Sequence, residues 1–393
     1  MDSTFSLLNA ARPEAALLVS CARTRFDAAA ADRARDLLSP DIDWEFLLRL
    51  AREHGVEPLL YRNLHAVPSD RVPPQVLDAL RADYRANAAH SLLLLAETAK
   101  LLTALAAAGI EAAPLRGPVL ALSAYGDVAL RKSADSDLLV RLADVTAAAR
   151  VLAEAGYKAE GGDELTAVQR RALTGLAHHE RFIGANGGVE VEVHWRPISF
   201  PLSPHPDEWR VLDDCQVLVH GGREIPVPTP EWDFLLCCAH GYKHVFCCLK
   251  WICDIAELAR SRPDLDYRWV ETEAARLDCL RAVSIGSLLA ADLLQAPIPE
   301  WLLARAGADR PTRRFAAEVQ RRLERGEDQG GGAFDRLRSL RLQWQTAGAL
   351  PGRVRFLLRR VGEQSKKDIA ALKLPAPLSP LYGLAKLCRL WRH

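Results

Sequence analysis

The stretch LRGPVLALSAYGDVALRKSADSDLLV, residues 115–140, decides the fold. It enters at the end of a short apolar run, 110–115, that reads as a strand. Arg116-Gly117-Pro118 then opens a helix, because glycine permits a sharp turn and proline is well tolerated at the first helical position. The stretch closes on DLLVR, 137–141, an apolar run of the buried-strand type. Asp135-Ser136-Asp137 leads straight into it. Two residues apart on an extended backbone, the two carboxylates project from one face, close enough to share a divalent cation.

Downstream, VEVEVHW (189–195) alternates strictly. Glu190, Glu192 and His194 share one face; Val189, Val191, Val193 and Trp195 share the other. Between these strands, Asp144 stands at the N-cap of a helix over 145–155 that Gly156 stops. Beyond them, 217–219 and 224–227 flank Gly221-Gly222 and suggest a hairpin. Strands interleaved with helices over about 120 residues argue for an α+β or α/β core.

The flanks are helical. Apolar residues at helical spacing dominate the first hundred or so positions, with a helix over 86–108 ended by Gly109 as its C′ residue. Thr229-Pro230-Glu231 supplies an N-cap, a proline at N1 and an acid in the first turn. That helix is expected to run through Cys237 and His240 and to break near Gly241. Further helices are expected around 251–260, 267–294 and 311–325. The sequence therefore divides into an N-terminal helical segment (1–95), a mixed core (96–228) and a C-terminal helical domain (229–393).

Composition bounds the partners. Lys and Arg number 51 against 50 Asp and Glu, so no basic excess speaks for nucleic acid. The charge is uneven, however: residues 351–393 hold ten basic and two acidic side chains, either a solvated helix surface or a docking face for an acidic partner. The first twenty residues lack the basic start and apolar core of a signal peptide. No uninterrupted run reaches the roughly 20 apolar residues that span a bilayer. The expected location is the cytoplasm, with the nine cysteines reduced.

If the strand after Asp135 and the strand carrying Glu192 are neighbours, three carboxylates converge: Asp135, Asp137 and Glu192. Oxygen-rich sets of this kind suit magnesium, and such a cluster suits phosphoryl or nucleotidyl transfer. Arg131, Lys132 and Ser133, just ahead of the pair, are placed to meet phosphate oxygens, as are the amides at the start of the Gly117 helix. Each element alone has a plainer reading. A DxD is often a solvated turn or cap, and an alternating acidic strand is often a half-exposed edge. His240 and His244, four apart beside Cys237, admit a structural role, a zinc site or a place in the active site. His194 is either a structural histidine or a base or partner to Glu192, and Glu190 is either a ligand or a surface residue. His178 and His179 precede the acidic strand with no assignable role. Walker A, GxGxxG and GxSxG sequences are missing.

Taken together, residues 115–140, EVEVHW, AHGYKHVFCCLKWICDIAEL (239–258) and KLPAPLSPLYGLAKLCRLWR (373–392) resemble the uncharacterised nucleotidyltransferase family of the DNA polymerase β-like superfamily. Its members typically read LKG…Y…LR…DIDLLV, later ELHW, then HG…KH…LKWL.D. The resemblance implies a nucleotidyltransferase-fold mixed sheet, flanked by helical segments at both ends. It implies that Asp135 and Asp137 are the metal pair and Glu192 the third carboxylate. Gly117 belongs to the glycine-led helix start and Arg131 is the basic residue before the pair. It also draws His240, Lys243 and His244 toward the active site, with Asp254 to cap or orient them. Three positions depart from the pattern: Arg116 stands where Lys is usual, Ser136 replaces an apolar residue, and Val193 replaces Leu. None removes a ligand.

The resemblance thus implies a magnesium-dependent enzyme, with manganese as the alternative cation. It would move a nucleoside monophosphate from an NTP, ATP foremost, to a peptide, protein or small-molecule acceptor. Two other readings stay open: a non-catalytic module that binds a nucleotide or partner, and a γ-phosphoryl transferase.

Overall fold

The structure, a computed structural model, describes residues 12–67, 70–161, 165–185, 188–198, 209–326 and 333–347, with short stretches between 353 and 382. Helices α1 (Pro13–Cys21), α2 (Ala28–Leu37), α3 (Trp44–His54) and α4 (Glu57–Ala66) precede a long α5 (Pro74–Ala107). β1 (Ala112–Leu115) follows, then a short helix α6 (Gly117–Leu120) that widens into a π-helical turn, Ala121–Tyr125. The middle of the chain holds β2 (Ser136–Val140), α7 (Val145–Glu154), β3 (Tyr157–Ala159), α8 (Ala167–Leu176), β4 (His179–Gly184) and β5 (Glu190–His194). A hairpin, β6 (Cys215–His220) and β7 (Arg223–Pro228), closes it. Then come α9 (Pro230–Lys243), α10 (Leu249–Ser261), α11 (Tyr267–Arg276), α12 (Leu280–Leu294), α13 (Glu300–Ala308), α14 (Arg310–Arg325), α15 (Ala333–Thr346) and α16 (Lys366–Ala370). The class is α+β.

These elements belong to two units whose pieces are interleaved along the chain. The first, Met1–Leu93, Arg116–Ser133 and Pro230–Thr346, is helical. The second, Leu94–Leu115, Ala134–Thr229 and Ala347–His393, holds every described strand.

In the second unit the sheet order is β1-β2-β5-β4-β3. β2 and β5 run parallel; every other neighbouring pair is antiparallel. Period-2 alternation gives the sheet an apolar face carrying Leu138, Val140, Phe182, Val191, Val193 and Trp195, all buried. Ser136 lies on this face. Its hydroxyl meets Thr98 Oγ1 at 2.7 Å, and Thr98 donates in turn to the Leu94 carbonyl. The departure from an apolar residue is therefore satisfied rather than costly. The β6–β7 hairpin turns at Gly221 and Gly222 with φ of 57° and 75°, values that glycine adopts without strain.

In the first unit α9, α10 and α12 pack together around Leu235, Leu236, Ile252, Ile255, Ile285 and Leu289. Helix α9 does not break at Gly241; it continues to Lys243. The glycine is there because the buried Phe246 ring lies on it. A Cβ at position 241 would sit 2.2 Å from Phe246 Cε1. Phe246 is held at φ 46°, with its amide donating to the Gly241 carbonyl at 2.7 Å, so its ring has no easy escape. Gly241→Ala is expected to cost roughly 2–4 kcal/mol, because overpacking outweighs the ~1 kcal/mol gain in helix propensity. Urea unfolding monitored by circular dichroism would show the midpoint fall; an unchanged midpoint would contradict this packing.

Gly109 takes φ 74° after α5, and the Ile110 amide bonds back to Leu105 O, closing the helix. The single helix expected over 267–294 is two: Asp278 turns left-handed at φ 60°, and the Cys279 amide closes on Ala274 O at 2.7 Å. Asp144 holds the N-cap position of α7, but its side chain makes no capping hydrogen bond. Among the described residues, α5 alone is long and apolar enough by length and composition to cross a membrane, although no uninterrupted apolar run marks it in the sequence. Polar residues punctuate it, including the Glu97–Lys100 pair at 3.2 Å. Most of the basic C-terminal stretch lies outside the described residues; of those described, Lys366 pairs with Glu180 at 2.8 Å and Lys367 with Glu160 at 3.2 Å.

Candidate functional site

The charged face of the sheet is assembled by register. In the parallel β2–β5 pair Asp137 lies directly beside Glu192, and Leu139 beside His194. The antiparallel β4–β5 pair sets His179 beside His194, Arg181 beside Glu192 and Ile183 beside Glu190. Asp135 sits in the bend just before β2. Neighbours in register point to the same side, so two further acids, Asp135 and Glu190, two histidines and an arginine gather around the Asp137–Glu192 pair.

Two groups of carboxylate-bearing candidate ligands result, one of them completed by an imidazole. Asp135, Glu190 and Glu192 can bring one ligand atom each within 4.8 Å of the others; so can Asp137, Glu192 and His194. Glu192 belongs to both. The predicted trio is thus spread over two adjoining sets that share its third member. Glu190, left open between ligand and surface residue, is part of one of them.

His194 organises the second set. It is buried, and its Nε2 lies 3.2 Å from both Asp137 Oδ1 and Glu192 Oε2, while Nδ1 lies 3.3 Å from the Arg196 carbonyl. Ionised carboxylates and carbonyls only accept, so both ring nitrogens are placed to donate. Burial works to depress its pKa, but the Asp137 charge and the hydrogen bonds to Asp137 and Glu192 outweigh it and lift the imidazole to about 9. Burial tends to raise Glu192, yet the hydrogen bond from His194 and the charge of His179 bring its carboxyl below the usual range. Arg181 Nε adds a guanidinium, 2.8 Å from Glu190 Oε1 and 3.4 Å from Glu192 Oε1. The face is therefore acidic but compensated, and a divalent ion would replace these cations as partner of the carboxylates.

The residues expected to meet phosphate lie in the helical unit. Arg116 takes φ 56° and Gly117 φ 54°, so the sharp turn begins one residue ahead of the glycine. A non-glycine residue held there is strained, and such strain gathers at functional sites. Arg131 is committed: Nε and Nη2 grip Asp254 Oδ1 and Oδ2 at 2.7 and 2.9 Å, and Nη1 donates to Ser133 Oγ at 3.0 Å. Its Nη1 also lies 3.4 Å from the Gly117 carbonyl. Lys132 pairs with Glu57. Asp254 does orient a site candidate, but the partner is Arg131 and not a histidine.

His240 and His244 stack against Trp251, with ring centroids 5.4 and 4.9 Å from it and 4.8 Å from each other. Burial presses His240 well below its ordinary pKa, and the charges of Arg116, His244, Lys243 and Arg131 press it further. Burial pushes Asp233 up to about 7, against the opposing charge of Arg116. Among the described residues, none of the groups able to hold a metal includes a cysteine, and none of the eight described cysteines forms a disulfide.

Sequence reasoning missed Arg181 and left His178 and His179 unassigned. The signal for Arg181 was present in HERFIG, where His179 and Arg181 share parity; what it lacked was the identity of the neighbouring strand. No curated protein matches the chain. Residues 40–295 match the model of a family described as uncharacterised nucleotidyltransferase. That span takes in the helical turn at Arg116, both acidic strands and the His240–Asp254 region, and the chain belongs to the uncharacterised nucleotidyltransferase family.

Proposed function

We propose that the chain transfers a nucleoside monophosphate from an NTP, with ATP foremost, to a peptide, protein or small-molecule acceptor, using magnesium or manganese held by Asp135, Asp137 and Glu192. The observation that carries this reading is the direct lateral pairing of Asp137 with Glu192 across the parallel β2–β5 register. The donor set fits the ion: carboxylate oxygens from three strand or pre-strand positions, with Glu190 adjoining. When bound, the metal would activate the acceptor oxygen and neutralise charge on the departing pyrophosphate.

The chain's own residues then have separable tasks. His194 positions Asp137 and Glu192 by bonding both at once. In the helical unit Arg116 and Lys243 carry positive charge of the kind that suits a triphosphate, and Gly117 allows the sharp turn at Arg116. Arg131 acts as a positioning residue, tying Ser133 and the Gly117 carbonyl to the Asp254 anchor.

Incubation with magnesium, an acceptor candidate and each NTP labelled at the α or γ phosphate tests this. Retention of α label on the acceptor is the expected result. Retention of γ label alone would establish phosphoryl transfer instead. Nucleotide binding without transfer of either label, unchanged in Asp135→Asn, would identify a binding module.

A further inference from the structure

Beside the carboxylates lies a second cluster of different chemistry. His178, His179 and His194 can bring one ring nitrogen each within 4.8 Å of the others. His179 Nδ1 is 2.8 Å from His178 Nε2, and the ring centroids of His178 and His179 lie 5.7 and 5.1 Å from that of His194. Adjacent residues on a strand would point to opposite faces. Here His178 occupies the bend before β4, with its carbonyl accepting from the Trp195 amide, and its ring turns to the same side as His179. Three imidazoles thus share one patch, with no carboxylate between His178 and His179.

We infer that this patch is a site for a second divalent cation of the nitrogen-preferring class, zinc or cobalt, distinct in chemistry from the oxygen-bound ion. Imidazole nitrogens favour such metals over magnesium, which takes oxygen ligands. Zinc–nitrogen bonds of about 2.0–2.1 Å need nitrogens a little over 3 Å apart, so only a modest closure of the three rings is required. Glu192 links the two clusters from outside the nitrogen set: its Oε1 lies 3.4 Å from His179 Nε2 and its Oε2 3.2 Å from His194 Nε2. Binding exchanges the His178–His179 hydrogen bond for two metal bonds, with the ring proton moving to the other nitrogen of the same imidazole, while His194 releases its Nε2 proton to solvent and exchanges its hydrogen bonds to Asp137 and Glu192 for the third metal bond. The inference does not require nucleotidyl transfer; it stands on the ligands alone.

The test loads the full chain with Zn2+ or Co2+ in the presence of excess Mg2+, removes unbound metal by gel filtration, and reads stoichiometry by elemental analysis. Cobalt loading is read separately by visible absorption. The wild type is expected to retain about one zinc and to show the intense bands of low-coordinate cobalt. His178→Gln and His179→Gln are each expected to weaken zinc at least about tenfold, as loss of even a supporting contact does. Asp135→Asn is expected to retain it. Circular dichroism melting identifies any variant that fails to fold, and the single variants are alternatives for one another. Undiminished zinc in both folded histidine variants would overturn the site, as would mole-for-mole displacement of zinc by magnesium. Neither result depends on label transfer, so failure here and failure of the proposed reaction are distinguishable.

Discussion

Asp137→Asn is expected to abolish nucleotidyl transfer, lowering kcat by roughly 10³-fold, about 4 kcal/mol of barrier, while the protein stays folded. Asp137 is the only acid on β2 itself, and it is flanked by Leu115 on β1 and Glu192 on β5. The asparagine keeps the shape and can still accept from His194, so the sheet register is preserved. It loses the charge and one metal-binding lone-pair face, and asparagine is a poor substitute ligand for a hard cation. The set of Asp137, Glu192 and His194 then contains Glu192 as its sole carboxylate. The measurement is initial rate of α-label transfer at saturating magnesium, beside a thermal melt of each protein. A kcat within threefold of wild type, with a normal melt, would remove Asp137 from the metal site and with it the main support for the proposed activity.

The largest expected loss of stability comes from Asp254→Ala. Asp254 is 1% exposed and Arg131 6%. Its two oxygens take a bidentate grip from Arg131, and Oδ1 also accepts from the Tyr125 hydroxyl at 2.7 Å. Burial alone would depress the Arg131 guanidinium, but the charge and hydrogen bonds of Asp254 hold it firmly protonated. Removing the carboxylate leaves a buried cation and a buried hydroxyl without that acceptor, a change that costs about 3–5 kcal/mol. Denaturant unfolding should show the full loss. The double variant Arg131→Met, Asp254→Leu should recover most of it, since no charge is then buried unpaired. If Asp254→Ala alone unfolds at the wild-type midpoint, the pair contributes nothing and Arg131 is free for another role. Because Arg131 also reaches Ser133 and the Gly117 carbonyl, the single variant should additionally raise KM for NTP in the protein that remains folded.

Much of the site was legible before folding. The parity of Asp135 with Asp137, and of Glu190 with Glu192 and His194, is a property of any extended backbone, so two acidic faces followed from spacing alone. The valines on the other face of 189–195 said which side would be buried, and all are. Gly109 and Pro230 marked element ends through backbone chemistry that operates within a turn of chain. Where local rules failed, a distant side chain had intervened. Gly241 reads as a helix breaker until Phe246 is seen lying on it. Arg131 reads as a phosphate ligand until Asp254, 123 positions away, takes its guanidinium.

The carboxylates show the same division. By itself the sequence determined which acids share a strand face, because side-chain direction on a strand repeats every two residues whatever lies beside it. Only the tertiary structure decided that β2 lies parallel to β5 with Asp137 beside Glu192, and that β4 brings His179 and Arg181 to the same patch. Strand adjacency is chosen by burial of the apolar face and by hydrogen bonds between segments far apart in the chain. No spacing within either segment encodes that choice.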